Sequence, residues 1–448
     1  MNTETPVEDK KTLISYMERG AKSPSRFAIG TEHEKLVFNR NDLSPASHKD
    51  ICRILQGLTA FGWQMQREEG LPIGLKQRDM AVSLEPGGQF ELSGAPLETL
   101  HETWRETNTY LQQVRQVTQD NGLGLLGLGF SPKWPRHAFH WMPKARYRIM
   151  RAYMPTRGAH GLDMMCRTCT VQTNLDFSSE ADMVRKMRVA LALQPVATAL
   201  MANSPFCEDA PSGFLSLRSL MWTDTDPDRC GDLPWVFAEG MGFERYVDYM
   251  LDVPMYFVHR GDTYIDASGQ SFREFMRGNL PALPREIPVL RDFVDHLTTA
   301  FPEVRLKQFI EMRGADVSAD VGQLCGVSAL WTGLLYDTSA LDAAWDLIKD
   351  WSAHERTALR ANVPRLALKT PFRRGITVQD LALRVLEVAR HGLQRRDRRD
   401  ERGQDESIYL ERLQTIAESG HTAADELLRL YHTTWNQAVD PVYTVASF

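Results

Sequence analysis

Four carboxylates lie in two short tracts, Gly30-Thr31-Glu32-His33-Glu34-Lys35 and Ser83-Leu84-Glu85-Pro86-Gly87-Gly88-Gln89-Phe90-Glu91-Leu92-Ser93. The apolar residues around them, Ile29, Leu36, Val37 and Phe38 in one tract and Val82, Leu84, Phe90 and Leu92 in the other, are the types that build half-buried strands. Side chains two apart on a strand share a face, so Glu32 and Glu34 point one way and His33 the other; Gln89, Glu91 and Ser93 likewise point together. The Glu85-Pro86-Gly87-Gly88 sequence predicts a type II turn that brings Glu85 and Glu91 near each other. Carboxylates crowded on one face of a buried sheet repel, and must either hold protons or bind a cation. An all-oxygen set suits a hard ion such as magnesium.

A third tract, residues 305–316, alternates in the same way. Arg305, Lys307, Glu311 and Arg313 project together and Leu306, Ile310 and Met312 go to the apolar side. A carboxylate with cations two and four residues away suits a place where metal and phosphate meet, with Glu311 on the ion and Lys307 and Arg313 on phosphate oxygens. Taken alone the tract also fits a salt-bridged exposed strand; beside the other two it favours a site.

The elements that must position these groups read as an α+β chain. Helices are expected over residues 7–19, 47–61, 97–121 and 181–202, and strands over 27–39, 62–67, 82–85, 123–130, 167–176 and 216–221, with residues 305–316 as one further strand. From about residue 340 the pattern is mainly helical. Gly122, Gly124 and Gly127 match a GxGxxG string, but that fingerprint needs a strand before it and a helix after it, and here the order is reversed. Cys166 and Cys169 lack a second pair for zinc and are expected to be ordinary buried thiols.

A chain of 448 residues with 43% hydrophobic and 25% charged residues can bury a large core. No linker, repeat or low-complexity run divides it, so residues 1–448 are expected to form one catalytic domain. The net charge of -6 argues against a nucleic-acid partner, and no stretch has the apolar length of a membrane span. The first ten residues are polar and acidic, and the six cysteines are few and irregularly spaced; both fit a cytoplasmic protein.

The tracts GTEHEK, SLEPGGQFELSGAPLETLH, RTCTVQTNLDFSSEADM, LRSLMWTDTD, YVDYMLDVPMYF and RLKQFIEMRGAD together closely resemble the plant-type glutamate-cysteine ligases, which also occur in bacteria, over residues 12–442. The resemblance implies a glutamine-synthetase-like carboxylate-amine ligase: a curved, mainly antiparallel sheet forming an active-site funnel, with helices packed outside. It implies ATP-dependent joining of the γ-carboxyl of L-glutamate to the amino group of L-cysteine through a γ-glutamyl phosphate, the first step of glutathione biosynthesis. Under it, Glu32, Glu34, Glu85, Glu91 and Glu311 would hold two or more Mg2+ ions bridging the phosphates of ATP, and Lys307 and Arg313 would stabilise the transferring phosphoryl group. Arg146 and Arg218 correspond to arginines that grip substrate carboxylate and phosphate groups in the plant enzymes. Those enzymes carry regulatory disulfides; the matching positions here are Ala267 with Ala282, and Trp104 with Cys325, so neither bridge can form. The family contains dimers, and a monomer or a homodimer is expected. A ligase using a different amine, and an idle metal-binding scaffold, are the alternative readings.

Overall fold

In the computed structural model, which describes residues 2–448, the carboxylate tracts lie in one eight-stranded sheet. Its strands are β1 (Ile29–His33), β2 (Gln64–Glu68), β3 (Leu71–Gln77), β4 (Met80–Leu84), β5 (Phe90–Ser93), β6 (Thr170–Leu175), β7 (Val304–Leu306) and β8 (Ile310–Asp316), in the spatial order β7-β8-β6-β1-β5-β4-β3-β2. Every pairing in this sheet is antiparallel. The expected α+β class with a mainly antiparallel sheet is what the chain adopts.

The register explains why the charges converge. Glu311 lies opposite Asn174, Glu32 lies opposite Gln172 on one side and Ser93 on the other, and Glu91 lies opposite Ser83. Directly opposed residues share a face, so polar side chains of five strands line one side of the sheet. The other side is apolar and carries Ile29, Val82, Leu92, Val171, Leu175, Ile310 and Met312, all buried.

Helices cover that apolar side. They include α1 (Leu100–Asp120), α3 (Glu180–Leu200), α5 (Val321–Leu335) and α6 (Val378–Arg396), while the short helices α2 (Ala145–Tyr153) and α4 (Leu217–Met221) carry the two arginines Arg146 and Arg218. Helix α5 is buried along nearly its whole length, and its Ser328 hydroxyl bridges Thr31 at 2.8 Å and Thr173 at 3.1 Å. Those bonds satisfy the Thr31 and Thr173 hydroxyls on the core side of β1 and β6.

Several expected elements differ from what forms. Residues 27–39 are two strands. β1 ends at His33, and Leu36–Asn39 pairs instead with Leu123–Leu126 in a separate two-stranded sheet. The break is fixed by long-range partners: Glu34 N donates to Thr170 O at 3.0 Å, and Lys35 and Phe90 exchange both backbone bonds. The third tract is also two strands. β7 and β8 form a hairpin whose turn is closed by Lys307 N donating to Phe309 O at 2.8 Å. Residues 161–167 are helical and β6 begins at Thr170.

Residues 216–221 were expected as a strand and form helix α4, because Ser216 caps it by accepting from Ser219 N. The bend at residues 85–88 also differs in type. Gly88 N donates to Glu85 O at 2.9 Å, but the left-handed residue is Gly88 (φ +88), not Gly87. That is a type I turn closed by a left-handed bulge residue. Gly87 is required for another reason: a Cβ there would lie 2.3 Å from Cys166 O. The glycine-rich string keeps the reversed order, since α1 precedes Gly122 (φ +68) and a strand follows it.

Candidate active site

The site face is built row by row from the paired strands. In the outermost row Arg305 on β7 faces Glu311 on β8, and Arg305 Nε donates to Glu311 Oε2 at 2.5 Å. Arg313 Nη1 donates to the same oxygen at 2.8 Å, and Lys307 Nζ donates to Oε1 at 3.2 Å. Burial alone would raise the Glu311 pKa, but Arg305, Lys307 and Arg313 together hold it well below the usual carboxylate range. Glu311 therefore gathers three cations, and Lys307, on its longest contact, is the one most easily released. Arg313 reaches further inward, donating to Gln172 Oε1 at 2.6 Å.

The next rows carry the free acidity. Glu32 accepts from Asn174 Nδ2 at 2.7 Å, Glu34 accepts from Thr170 N at 2.8 Å, and Glu91 accepts from Ser93 Oγ at 2.9 Å. Among the described residues, no cation lies within salt-bridge distance of these three carboxylates, while Arg305, Lys307 and Arg313 all pair with Glu311. Burial, with Glu85 nearby, pushes the Glu34 pKa up to about 8. Burial followed by repulsion from Glu85, Glu32 and Glu34 pushes Glu91 well above the usual range. The four carboxylates of the first two tracts thus face one another electrostatically, and Arg313 and Lys307 feel Glu32 as well.

The two arginines flank this acidic patch. Arg218 is buried (3% exposed), donates from Nη2 to Arg313 O at 2.8 Å, and leaves its Nε without a protein acceptor. Arg146 packs over the Tyr147 ring at 5.3 Å, within electrostatic reach of Glu85, and its Nε is likewise buried and unpaired. An unpaired buried guanidinium N–H is costly unless an acceptor reaches it. Two such donors on either side of a carboxylate cluster make a place for an anionic ligand.

All nine residues singled out from sequence belong to this neighbourhood. Four contributors were not singled out. Arg305 showed only as one charge among several, although it makes the shortest contact to Glu311. Asn174 and Gln172 sit two apart in the strand expected over residues 167–176, so they share its polar face. Lys144, two residues before Arg146, is pulled down to about 8 by burial and feels Glu85. His33 lies on the other face, as its alternation required, where the buried Lys35 ammonium contacts its Nδ1.

The donor set fits magnesium in kind, since it is all oxygen and carries repulsion that a cation would relieve. Among the described residues no three histidine, cysteine or acidic groups are close enough to hold one ion by themselves. That is compatible with magnesium, which is commonly held by one or two carboxylates together with water and substrate phosphates.

An antiparallel sheet with such a face, backed by helices, is the architecture of the glutamine-synthetase-like carboxylate-amine ligases. A solved glutamate-cysteine ligase from Francisella tularensis, in complex with AMP, has a similar fold, with TM-score 0.57 at 12% identity over 94% of this chain and 87% of that one. Residues 28–445 match the glutamate-cysteine ligase family 2, and the chain belongs to that family. It is 53% identical over 435 residues to the chloroplastic glutamate-cysteine ligase of Arabidopsis thaliana, covering 97% of this chain and 82% of the relative. It is 54% identical to the chloroplastic glutamate-cysteine ligase B of Oryza sativa subsp. japonica, covering 97% and 86%. These relatives overturn the expectation of a cytoplasmic protein: they are chloroplastic enzymes, and the acidity of ten N-terminal residues carried no information about compartment. No helix among the described residues is long and apolar enough to cross a membrane.

Proposed function

We propose that the chain joins the γ-carboxyl of L-glutamate to the amino group of L-cysteine, converting ATP to ADP and phosphate and making γ-glutamylcysteine, the first step of glutathione biosynthesis. The observation that carries this reading is one sheet face on which Glu32, Glu34 and Glu91 lie beside Arg313 and Lys307, in a chain 53% identical to a glutamate-cysteine ligase over 97% of its length.

A carboxylate is a poor acyl donor, so ATP must first phosphorylate it. The glutamate γ-carboxylate attacks the γ-phosphorus, ADP leaves, and the cysteine amine then displaces phosphate from the acyl carbon. Most of the catalysis this demands is positioning and charge stabilisation. Arg146 and Arg218, each with a buried unpaired Nε, would take carboxylate and phosphate oxygens. Lys307 and Arg313 would neutralise the transferring phosphoryl group. Magnesium, when bound, neutralises and aligns the nucleotide phosphates; two or more ions would be held by Glu32, Glu34, Glu85 and Glu91. Glu311 would join them by exchanging its 3.2 Å contact to Lys307, which frees that ammonium for phosphate.

In this reading residues 1–448 act as one catalytic unit, as a monomer or a homodimer, on small molecules alone. The test is ATP turnover with glutamate and cysteine, with the mass of the product measured alongside a panel of other amines. Magnesium-dependent ADP release with a γ-glutamylcysteine product is expected. Turnover with another amine in preference to cysteine would redirect the assignment to a related ligase, and absence of magnesium-dependent nucleotide binding would leave only a scaffold.

A further inference from the structure

Asp316 closes the third charged tract and has no part in the chemistry above. It is fully buried, and both of its oxygens are occupied. Oδ2 accepts from Asn203 N at 3.0 Å and from Ser204 Oγ at 2.6 Å, and Oδ1 accepts from Ser216 Oγ at 2.9 Å. Each of those hydroxyls accepts in turn from the first turn of α4: Arg218 N donates to Ser204 Oγ at 3.2 Å and Ser219 N donates to Ser216 Oγ at 3.3 Å. A hydroxyl has one proton and two lone pairs. With the proton committed to an acceptor-only carboxylate, the lone pairs must face the helix N–H groups, so Asp316 sets the polarity of both links. The space around it is closed, since a Cβ at Gly129 would lie 2.3 Å from Asp316 Cγ.

The same strand holds the other end of Arg218, whose Nη2 donates to Arg313 O at 2.8 Å. Strand β8 therefore grips Arg218 twice, at its main chain through Asp316 and at its guanidinium through the Arg313 carbonyl. Helix α4 has only five residues, too few to hold a fixed orientation by its own hydrogen bonds. Its own segment offers the arginine only the Trp222 ring, 5.9 Å from the guanidinium carbon.

We infer that Asp316 is a positioning residue for Arg218, locking α4 onto the strand that carries Arg313 through the hydroxyls of Ser204 and Ser216. The inference rests on the proposed role of Arg218 in binding substrate. Buried charged networks of this kind are expensive unless fully satisfied, and this one is satisfied at each hydroxyl and at the carboxylate. Replacing the carboxylate by an amide puts a donor where Ser204 or Ser216 now donates, which reverses that link and leaves the hydroxyl proton without its acceptor while side-chain volume is kept.

The experiment is a double-mutant cycle on kcat/KM for glutamate, using wild type, Asp316→Asn, Arg218→Lys and the double variant, with thermal unfolding of each recorded. Asp316→Asn is expected to lower kcat/KM for glutamate by about tenfold, as misplacing a substrate-binding group does. In the Arg218→Lys background it should lower it by less than about twofold, whereas independent sites would show the full loss again. Ser204→Ala, which removes a single hydroxyl, carries the same cycle should Asp316→Asn not fold. Equal losses in both backgrounds, or kinetics unchanged by either variant, would overturn the inference. A wild-type chain that forms no γ-glutamylcysteine would overturn the proposed function itself, and the inference with it.

Discussion

Arg305 and Glu311 face each other across a hairpin, with Arg305 Nε 2.5 Å from Glu311 Oε2 and both side chains buried. The pair explains how one hairpin can present two further cations to the site: Glu311 offsets the repulsion among Arg305, Lys307 and Arg313 that would otherwise oppose their burial. Arg305 is also tied to the backbone, donating to Thr298 O at 3.0 Å and Ala300 O at 2.9 Å.

Removing Arg305 should therefore be felt in stability before it is felt in chemistry. Arg305→Met is expected to cost about 3 kcal/mol, the lower end for breaking a buried ion pair, since Lys307 and Arg313 remain. The Glu311 pKa is depressed in the folded state, so its stabilisation is present above the unfolded value of about 4.3 and lost as pH falls through the lower folded value. Weakening the cation set raises that folded value. Acid unfolding of the variant, followed by circular dichroism, should begin at a higher pH than in wild type; coincident transitions would refute the account.

Glu34 gives the opposite slope. Its folded pKa is raised to about 8 by burial and by Glu85, so the folded chain holds a proton that the unfolded chain releases. Between about pH 4.3 and about pH 8 this group lowers stability as pH rises. In the presence of a chelator, wild type should lose melting temperature across that window and Glu34→Gln should lose less. Adding magnesium should restore the wild type at the alkaline end and raise the variant by less. A variant that responds to magnesium as wild type does would remove Glu34 from the metal set.

Arg146→Ala and Arg218→Ala each delete a charged, partly unpaired donor from the edge of the acidic patch. Each should reduce kcat/KM for glutamate by at least about tenfold, the loss expected of a charged contact. Unchanged kinetics in both would exclude them from the substrate site.

Redox control offers a fourth test. All six cysteines are free thiols, and Cys325 is buried. Burial pushes the Cys325 thiol up to about 12, which makes it a poor nucleophile for disulfide exchange. Activity should be the same before and after treatment with a dithiol reductant. A reversible several-fold change would contradict this.

The sequence alone determined which residues could do chemistry and which way most of them point. Alternation placed Glu32 and Glu34 on one face and His33 on the other, because the two-residue period of a strand is set by the local backbone; Arg305 and Glu311 became neighbours through the hairpin that pairs β7 with β8, where a single strand would have held them apart. Tertiary structure decided how the strands meet. The turn at Lys307-Gln308-Phe309 contains neither glycine nor proline and carries no local signal; it is held by Gln308 Nε2 donating to Tyr16 O at 2.7 Å, 292 residues away. The end of β1 at His33 depends on Thr170 and Phe90, and the place of α4 depends on Asp316. Such choices are made by hydrogen bonds between segments far apart in the chain, whose partners no local period can name.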